Sequence, residues 1–329
     1  MRALMRSAYT WTFAAAGLGL GLASWALGPT VALAVTAGGG LTAGLLLARW
    51  LRLRHRWIGV ELGRLRTQST QLEALVRSPE AGLVRRPDLA ALQRRQSTEL
   101  AELRRELSSA ERRMAAAWRK ESAQLQALQN LHAMVPTRHR MLPLDGGWAV
   151  APDFMLLLVS LVRERRPATI VELGSGASTV WTALALQELG IESRMVAVDH
   201  DVTFAERTRE RLTALGLEKV VEVRHAPLVD VEVDGEVYPW YDRAAFADVD
   251  SCDLLVVDGP PGILRSESRY PALPLLGERI CPGGQVLMDD LVREDEQHIV
   301  ARWVAQLPGW RVRELSLAKG AALLTKIGG

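Results

Sequence analysis

Thr169-Ile170-Val171-Glu172-Leu173-Gly174-Ser175-Gly176-Ala177-Ser178-Thr179 is the stretch whose reading decides the fold. Its β-branched start reads as a buried parallel strand. Gly174 and Gly176 permit a sharp turn and a close approach of backbone to a ligand. Ser178 and Thr179 are capping residue types just ahead of a helix expected from Val180. Strand, glycine turn and helix N-terminus together make a cradle suited to a nucleotide-type cofactor at the end of a parallel sheet.

Downstream, strands and helices alternate. Strands are expected at 194–198, ending in Asp199-His200-Asp201, and at 220–224, followed by His225-Ala226-Pro227. A fourth at 253–257 ends in Asp258-Gly259-Pro260-Pro261-Gly262. Pro282-Gly283-Gly284 reads as a tight turn into a fifth at 285–288, which ends in Asp289-Asp290. Segments 310–317 and 321–327 are closing strands joined through Lys319-Gly320, so they must be antiparallel neighbours. This alternation predicts a doubly wound α/β sheet. Asp199 stands 25 residues beyond Gly174, where an acidic side chain after a second strand can take both ribose hydroxyls.

The connection 229–250 is longer than usual and holds Tyr238-Pro239-Trp240-Tyr241-Asp242. Trp240 and Tyr241, with Arg269 and Tyr270, are candidates for the wall of an acceptor pocket. A flap folded onto the sheet is the competing reading.

Upstream, no Asp, Glu, Lys, Arg or His occurs from Ser7 to Ala48, enough for two membrane spans at about 8–28 and 31–50 around Gly28-Pro29-Thr30. Arg2 and Arg6 precede the first span, and Arg49, Arg52, Arg54 and Arg56 follow the second. The positive-inside rule places both ends in the cytoplasm. A signal peptide cut after Ala32-Leu33-Ala34 is the alternative, but the apolar tract continues past that site. Segment 1–57 is thus expected to be a cell-membrane anchor contacting lipid.

Segment 58–135 is helical in composition, with a break expected near 79–87 at Pro79, Gly82 and Pro87. Leu100, Leu103, Leu107, Ala110, Met114, Ala117, Leu128 and Leu131 fall on a heptad seam, with faults at Glu121 and Gln124. The pattern predicts an imperfect coiled coil favouring a homo-oligomer; a single amphipathic helix lying on its own domain is the alternative. The third segment is then a domain at 136–329. A net charge of +2 over 329 residues speaks against a nucleic-acid partner. Cys252 and Cys281 suit a reducing compartment and make no metal signature.

The ordered set of Glu172-Leu173-Gly174-Ser175-Gly176, Asp199, Asp258 and Pro282-Gly283-Gly284 resembles the class I S-adenosylmethionine-dependent methyltransferases over about residues 140–329. Within that class it is similar to the bacterial O-methyltransferase-like group. The resemblance implies a Rossmann-like, seven-stranded sheet with an antiparallel terminal strand, and S-adenosylmethionine as cofactor. It implies that Glu172, Gly174, Ser175 and Gly176 hold the methionine moiety, that Asp199 takes the ribose, and that His200, His225 and Ala226 lie by the adenine. A nicotinamide cofactor is the rival, but Thr179 stands where the third glycine of that fingerprint belongs.

An oxygen nucleophile must lose a proton before it takes a methyl group, to a base or through a metal that lowers its pKa. Asp258, Asp289 and Asp290 end adjacent strands on the cofactor's rim, so a divalent cation such as Mg²⁺ would relieve their repulsion. Catechol and caffeoyl-type O-methyltransferases place Asp, Asp and Asn at comparable positions around a metal; here Asp290 stands where Asn is expected. Metal ligands, a metal-free base at Asp258, and purely structural carboxylates stay open as readings. The expectation is a membrane-anchored, cytoplasm-facing methyltransferase acting on a small-molecule, glycan or lipid-linked hydroxyl. An inactive, coiled-coil scaffold of the same fold is the alternative.

Overall fold

The computed structural model describes residues 86–137 and 150–328, together with Gly63, Thr67 and Thr70. The expected spans at 8–28 and 31–50 lie outside the described residues. Among the described residues, no helix is long and apolar enough to cross a membrane.

The chain divides into two units, Met1–Arg112 and Arg113–Gly329. Helix α1 (Arg86–Met134) runs through that boundary. Pro87 falls in its first turn, where a missing N–H breaks no helical bond. Along the heptad seam in the first unit, Leu103 is 61% exposed. In the second unit the same helix changes character: Ala127 and Leu131 are buried, as is Val135 just beyond its end. Leu131 and Val135 share a core with Phe154, Leu158 and Trp181. The His132 ring meets Trp181 edge-on at 5.2 Å, and Gln124 Oε1 accepts from the Asp153 N–H at 3.2 Å. The end of the long helix is therefore part of the domain that follows.

This difference along one helix is testable. Leu131→Ala should destabilise the second unit by about 2–5 kcal/mol, because it deletes a buried side chain from a packed core. Leu103→Ala should leave the stability of the second unit within about 0.5 kcal/mol, because Leu103 lies outside that unit. Urea unfolding of the full chain in detergent, followed by tryptophan fluorescence, measures both; equal effects would contradict this assignment.

After α2 (Pro152–Arg165) comes β1 (Thr169–Leu173), at the bounds the sequence indicates. Helix α3 (Ala177–Glu188) is buried from Ala177 to Leu186, as expected of a helix apolar on all sides. There follow β2 (Arg194–Asp199), α4 (Val202–Ala214) and β3 (Val221–His225). Then come β4 (Leu228–Val233), β5 (Glu236–Tyr241) and β6 (Cys252–Val257). The chain closes with α5 (Ala272–Leu276), β7 (Ile280–Asp289), α6 (Glu294–Gln306), β8 (Trp310–Leu315) and β9 (Ala321–Lys326).

Seven strands form one sheet in the order β3-β2-β1-β6-β7-β9-β8. All neighbours are parallel except those of β9, which is antiparallel to both β7 and β8. This is a Rossmann-like, doubly wound sheet whose terminal strand β9 runs antiparallel to its neighbours. Residues alternate between the two faces with period two. Ile170, Met195 and Ala197 enter the core that holds α2 and α3. Val171, Leu173, Val196 and Val198 enter the core that holds α5, α6 and Trp303.

Pro282-Gly283-Gly284 falls within the bounds of β7, but the strand bulges there: Cys252 faces Ile280 while Leu254 faces Gln285, and Gly283 is at φ 78°. Regular pairing with β6 resumes at Gln285, where the sequence places the start of the strand. The connection 229–250 is more ordered than a rim loop: β4 and β5 pair as an antiparallel hairpin outside the main sheet. Its turn is Asp234-Gly235, both at positive φ (51° and 79°), the conformation a two-residue hairpin turn requires.

Candidate active site

The neighbours of β1 are β2 on one side and β6 on the other, so the chain reverses its winding at β1. The C-terminal ends of β1 and β6 flank the crevice in which such sheets hold ligands. The Asp258 N–H donates to Leu173 O at 3.0 Å, and the Gly174 N–H donates to Val198 O at 2.8 Å, tying the three strand ends together. Gly174 adopts φ 100°, which only glycine takes readily.

Glu172 is buried at the end of β1. Its Oε2 accepts from Thr179 Oγ1 at 2.7 Å, and Thr179 Oγ1 in turn accepts from the Gly176 N–H at 3.0 Å. One acidic side chain thus fastens both sides of the glycine turn. Oε1 of Glu172 is buried without a hydrogen-bond partner. Burial pushes this carboxyl up to about 7, against the pull of the Ser178 and Thr179 hydroxyls. A Cβ added at Gly176 would meet nothing within 4 Å, so the turn opens onto free space.

Asp199 holds the turn from the β2 side. Its Oδ2 accepts from the Ser175 N–H at 3.0 Å and the Ser175 hydroxyl at 2.7 Å. Its Oδ1 accepts from the Asp201 N–H at 3.0 Å and keeps capacity for a further donor. His200 Nδ1 lies 3.5 Å from that oxygen, and His225 Nε2 lies 3.2 Å from His200 O. The Ala226 N–H donates to Asp199 O at 2.8 Å. The structure therefore brings Glu172, Gly174, Ser175 and Gly176 together as one group, and Asp199, His200, His225 and Ala226 as its neighbour.

The carboxylates across the rim also meet. Asp258, Asp289 and Asp290 each offer an oxygen, all within 4.8 Å of one another. Burial first, and the neighbouring like charges second, push Asp289 upward. Asp258 rises mainly through burial too, with Arg269 opposing. Both oxygens of Asp289 are buried without a partner.

Sequence reasoning put Arg269 in a pocket wall. It is instead a buried hub, 3% exposed. Its Nη2 donates to Asp258 O at 2.8 Å, Asp258 Oδ1 at 3.3 Å and Asp290 Oδ2 at 3.2 Å. Its Nη1 donates to Asp289 O at 3.3 Å and lies 3.8 Å from Glu296 Oε1. Arg293 Nη2 reaches Asp290 Oδ2 at 2.9 Å, and Lys319 Nζ lies 3.8 Å from Asp290 Oδ1. Glu296, Arg293 and Lys319 escaped the sequence reading, because no motif announces them. The one available signal is charge: acidic strand ends packed together demand cations from elsewhere in the chain.

Trp240, Tyr241 and Tyr270 do not line an open wall; each is at most 1% exposed. The Tyr270 hydroxyl pairs with Asp234 and Gln306. The Tyr241 hydroxyl reaches under the site without a hydrogen-bond partner. The aromatic hairpin is a lid on the second core, since its large side chains gain more from burial than from facing water.

Residues 171–291 match the family model described as a methyltransferase domain. No curated protein matches the chain. Among solved structures, a methyltransferase from Geobacter sulfurreducens is 18% identical, with 53% of this chain and 78% of that one covered and a TM-score of 0.41. The O-methyltransferase TomG from Streptomyces achromogenes, solved with SAM and involved in tomaymycin synthesis, is 20% identical, covering 63% and 90%, at TM-score 0.41. The O-methyltransferase from Bacillus cereus, solved with SAH, is 18% identical, covering 63% and 91%, at TM-score 0.42. The stretch from Val171 to Leu291 that matches a methyltransferase domain contains the glycine turn, Asp199 and all three rim aspartates.

Proposed function

We propose that this chain is an S-adenosylmethionine-dependent O-methyltransferase, tethered to the cell membrane by residues 8–28 and 31–50, with its catalytic domain facing the cytoplasm. The observation that carries the cofactor is the glycine turn. Glu172 Oε1 is buried without a partner, and the turn beside it opens onto free space. A buried acceptor left unsatisfied is costly, and a cationic amino group is the donor that best relieves it. Glu172 and the backbone of Gly174–Gly176 would hold the methionine moiety; Asp199 Oδ1, with its remaining capacity, would take a ribose hydroxyl.

The cofactor supplies an electrophilic methyl on sulfonium; the protein supplies position and a proton acceptor. Asp258 stands on the facing strand end, half-buried, with Arg269 on its Oδ1. That contact leaves Oδ2 to take the proton of an acceptor hydroxyl. Placement at the membrane favours an acceptor that is itself membrane-bound, such as a lipid-linked sugar or glycan precursor. The heptad seam of α1 supports self-association of the tethered chain through its first part.

Calorimetry of the full chain in detergent with S-adenosylmethionine should give one site per chain. Glu172→Gln should weaken it roughly ten- to hundredfold, the value of a charge-assisted hydrogen bond of about 1.5–3 kcal/mol. Glu172 titrates near 7 and must be ionised to pair with a cation. Affinity should therefore fall as the pH drops from 7.5 to 5.5, and the Gln variant should lose that dependence. A folded parent chain that binds no cofactor would leave the scaffold reading in its place.

A further inference from the structure

Asp258, Asp289 and Asp290 have the spacing of a metal site, but cations of the chain itself already stand among them. The Arg269 guanidinium lies between Asp258 and Asp290, within 3.3 Å of an oxygen of each. Both oxygens of Asp290 face cations: Oδ2 meets Arg269 and Arg293, and Oδ1 meets Lys319. A divalent ion binding all three aspartates would lie close to a guanidinium that has no deprotonated form to retreat to. Two positive centres so close in a buried site repel strongly. Arg269 is not free to leave, because its Nη2 and Nη1 also hold the carbonyls of Asp258 and Asp289.

We infer that Arg269, supported by Arg293 and Lys319, supplies the positive charge beside the Asp258 and Asp290 carboxylates, so that the rim works without a divalent cation. Arg269 is then a positioning residue. It fixes the Asp258 carboxylate relative to the strand end by gripping the backbone oxygen and the side chain of the same residue. The departure at Asp290 fits this arrangement, since a second full carboxylate pairs with the extra cations where a neutral amide would not.

The test uses Mn²⁺ as probe, with the full chain in detergent and the free ion followed by electron paramagnetic resonance. The wild-type chain should take up no Mn²⁺ up to about 1 mM beyond what Asp290→Asn takes up. Asn tolerates the left-handed backbone at this position, φ 65°. Arg269→Gln should create a Mn²⁺ site at least tenfold tighter than anything in the parent, and adding Asp290→Asn should remove it. A wild-type site that Asp290→Asn abolishes would overturn the inference. So would a folded Arg269→Gln chain that takes up no Mn²⁺. Should Arg269→Gln fail to fold, the comparison of wild type with Asp290→Asn decides alone. The inference rests on the methyltransferase reading only for its meaning in turnover: wild-type activity should survive EDTA unchanged. Ion uptake is read without cofactor or acceptor, so a failure of that reading leaves this measurement intact.

Discussion

Asp258→Asn should lower methyl transfer by about 10²–10⁴-fold, the usual worth of a positioned general base, while cofactor affinity stays within about twofold. The two effects separate because Asp258 belongs to a different group from the glycine turn. Its backbone N–H ties β6 to β1 through Leu173 O at 3.0 Å, and that contact survives the substitution. Its backbone oxygen keeps the 2.8 Å bond from Arg269. An amide is nearly the same size and still accepts from the guanidinium, but it takes no proton. A single-turnover assay with saturating cofactor measures the first effect and calorimetry the second. More than a tenth of parental activity in a folded variant would remove Asp258 as the base.

The same site predicts a pH dependence. Asp258 acts as base only when ionised, and burial raises its pKa above the ordinary carboxylate range, with Arg269 opposing. Activity should therefore begin to fall, on lowering pH, above the range where exposed aspartates titrate. Arg269→Lys should shift that limb without abolishing activity, because an ammonium keeps the charge but not the fork that grips carboxylate and carbonyl together.

Legibility in the sequence followed periodicity. β1, β2 and β6 appear within two residues of where their apolar runs predict them, since parallel strands buried on both faces read as continuous hydrophobic segments. The antiparallel pair β8 and β9 lies as close to its expected bounds because the Lys319-Gly320 link marks where one strand gives way to the next. The turn residues were legible because glycine, acid and capping hydroxyl each have a local reason to be there. The hairpin β4–β5 carried a signal, Asp234-Gly235, that the proline and aromatics of the same segment masked. Pro239 sits in β5 without harm: it faces Asp230 in a two-stranded sheet, where each strand has a free edge. Arg269 was out of reach for a different reason. Its side chain contacts residues 9 to 27 positions away, and no period or motif encodes that.

Gly259→Ala tests whether the hairpin supports the cradle. A Cβ at Gly259 would clash with the Tyr241 hydroxyl and stand 3.3 Å from Gly174 N and Leu173 O. The tyrosine ring is fully buried and packs edge-on against Trp240 at 5.2 Å, so it has nowhere to swing. Overpacking of this kind costs about 1–3 kcal/mol, or a fall in melting temperature of roughly 2–12 °C at this size. The strain also falls on the backbone of the glycine turn, so cofactor affinity should drop with stability. Tyr241→Phe alone should be neutral or stabilising, because it removes a buried hydroxyl that has no partner. In the double variant the clash with the hydroxyl is gone, and the 3.3 Å contacts with Gly174 N and Leu173 O are relieved by a shift of a few tenths of an ångström. Gly259→Ala with Tyr241→Phe should therefore recover at least half of the lost stability, measured by thermal melts of the full chain in detergent. If the pair is no more stable than Gly259→Ala alone, the hydroxyl is not what the glycine makes room for, and the hairpin does not buttress the cradle through Tyr241.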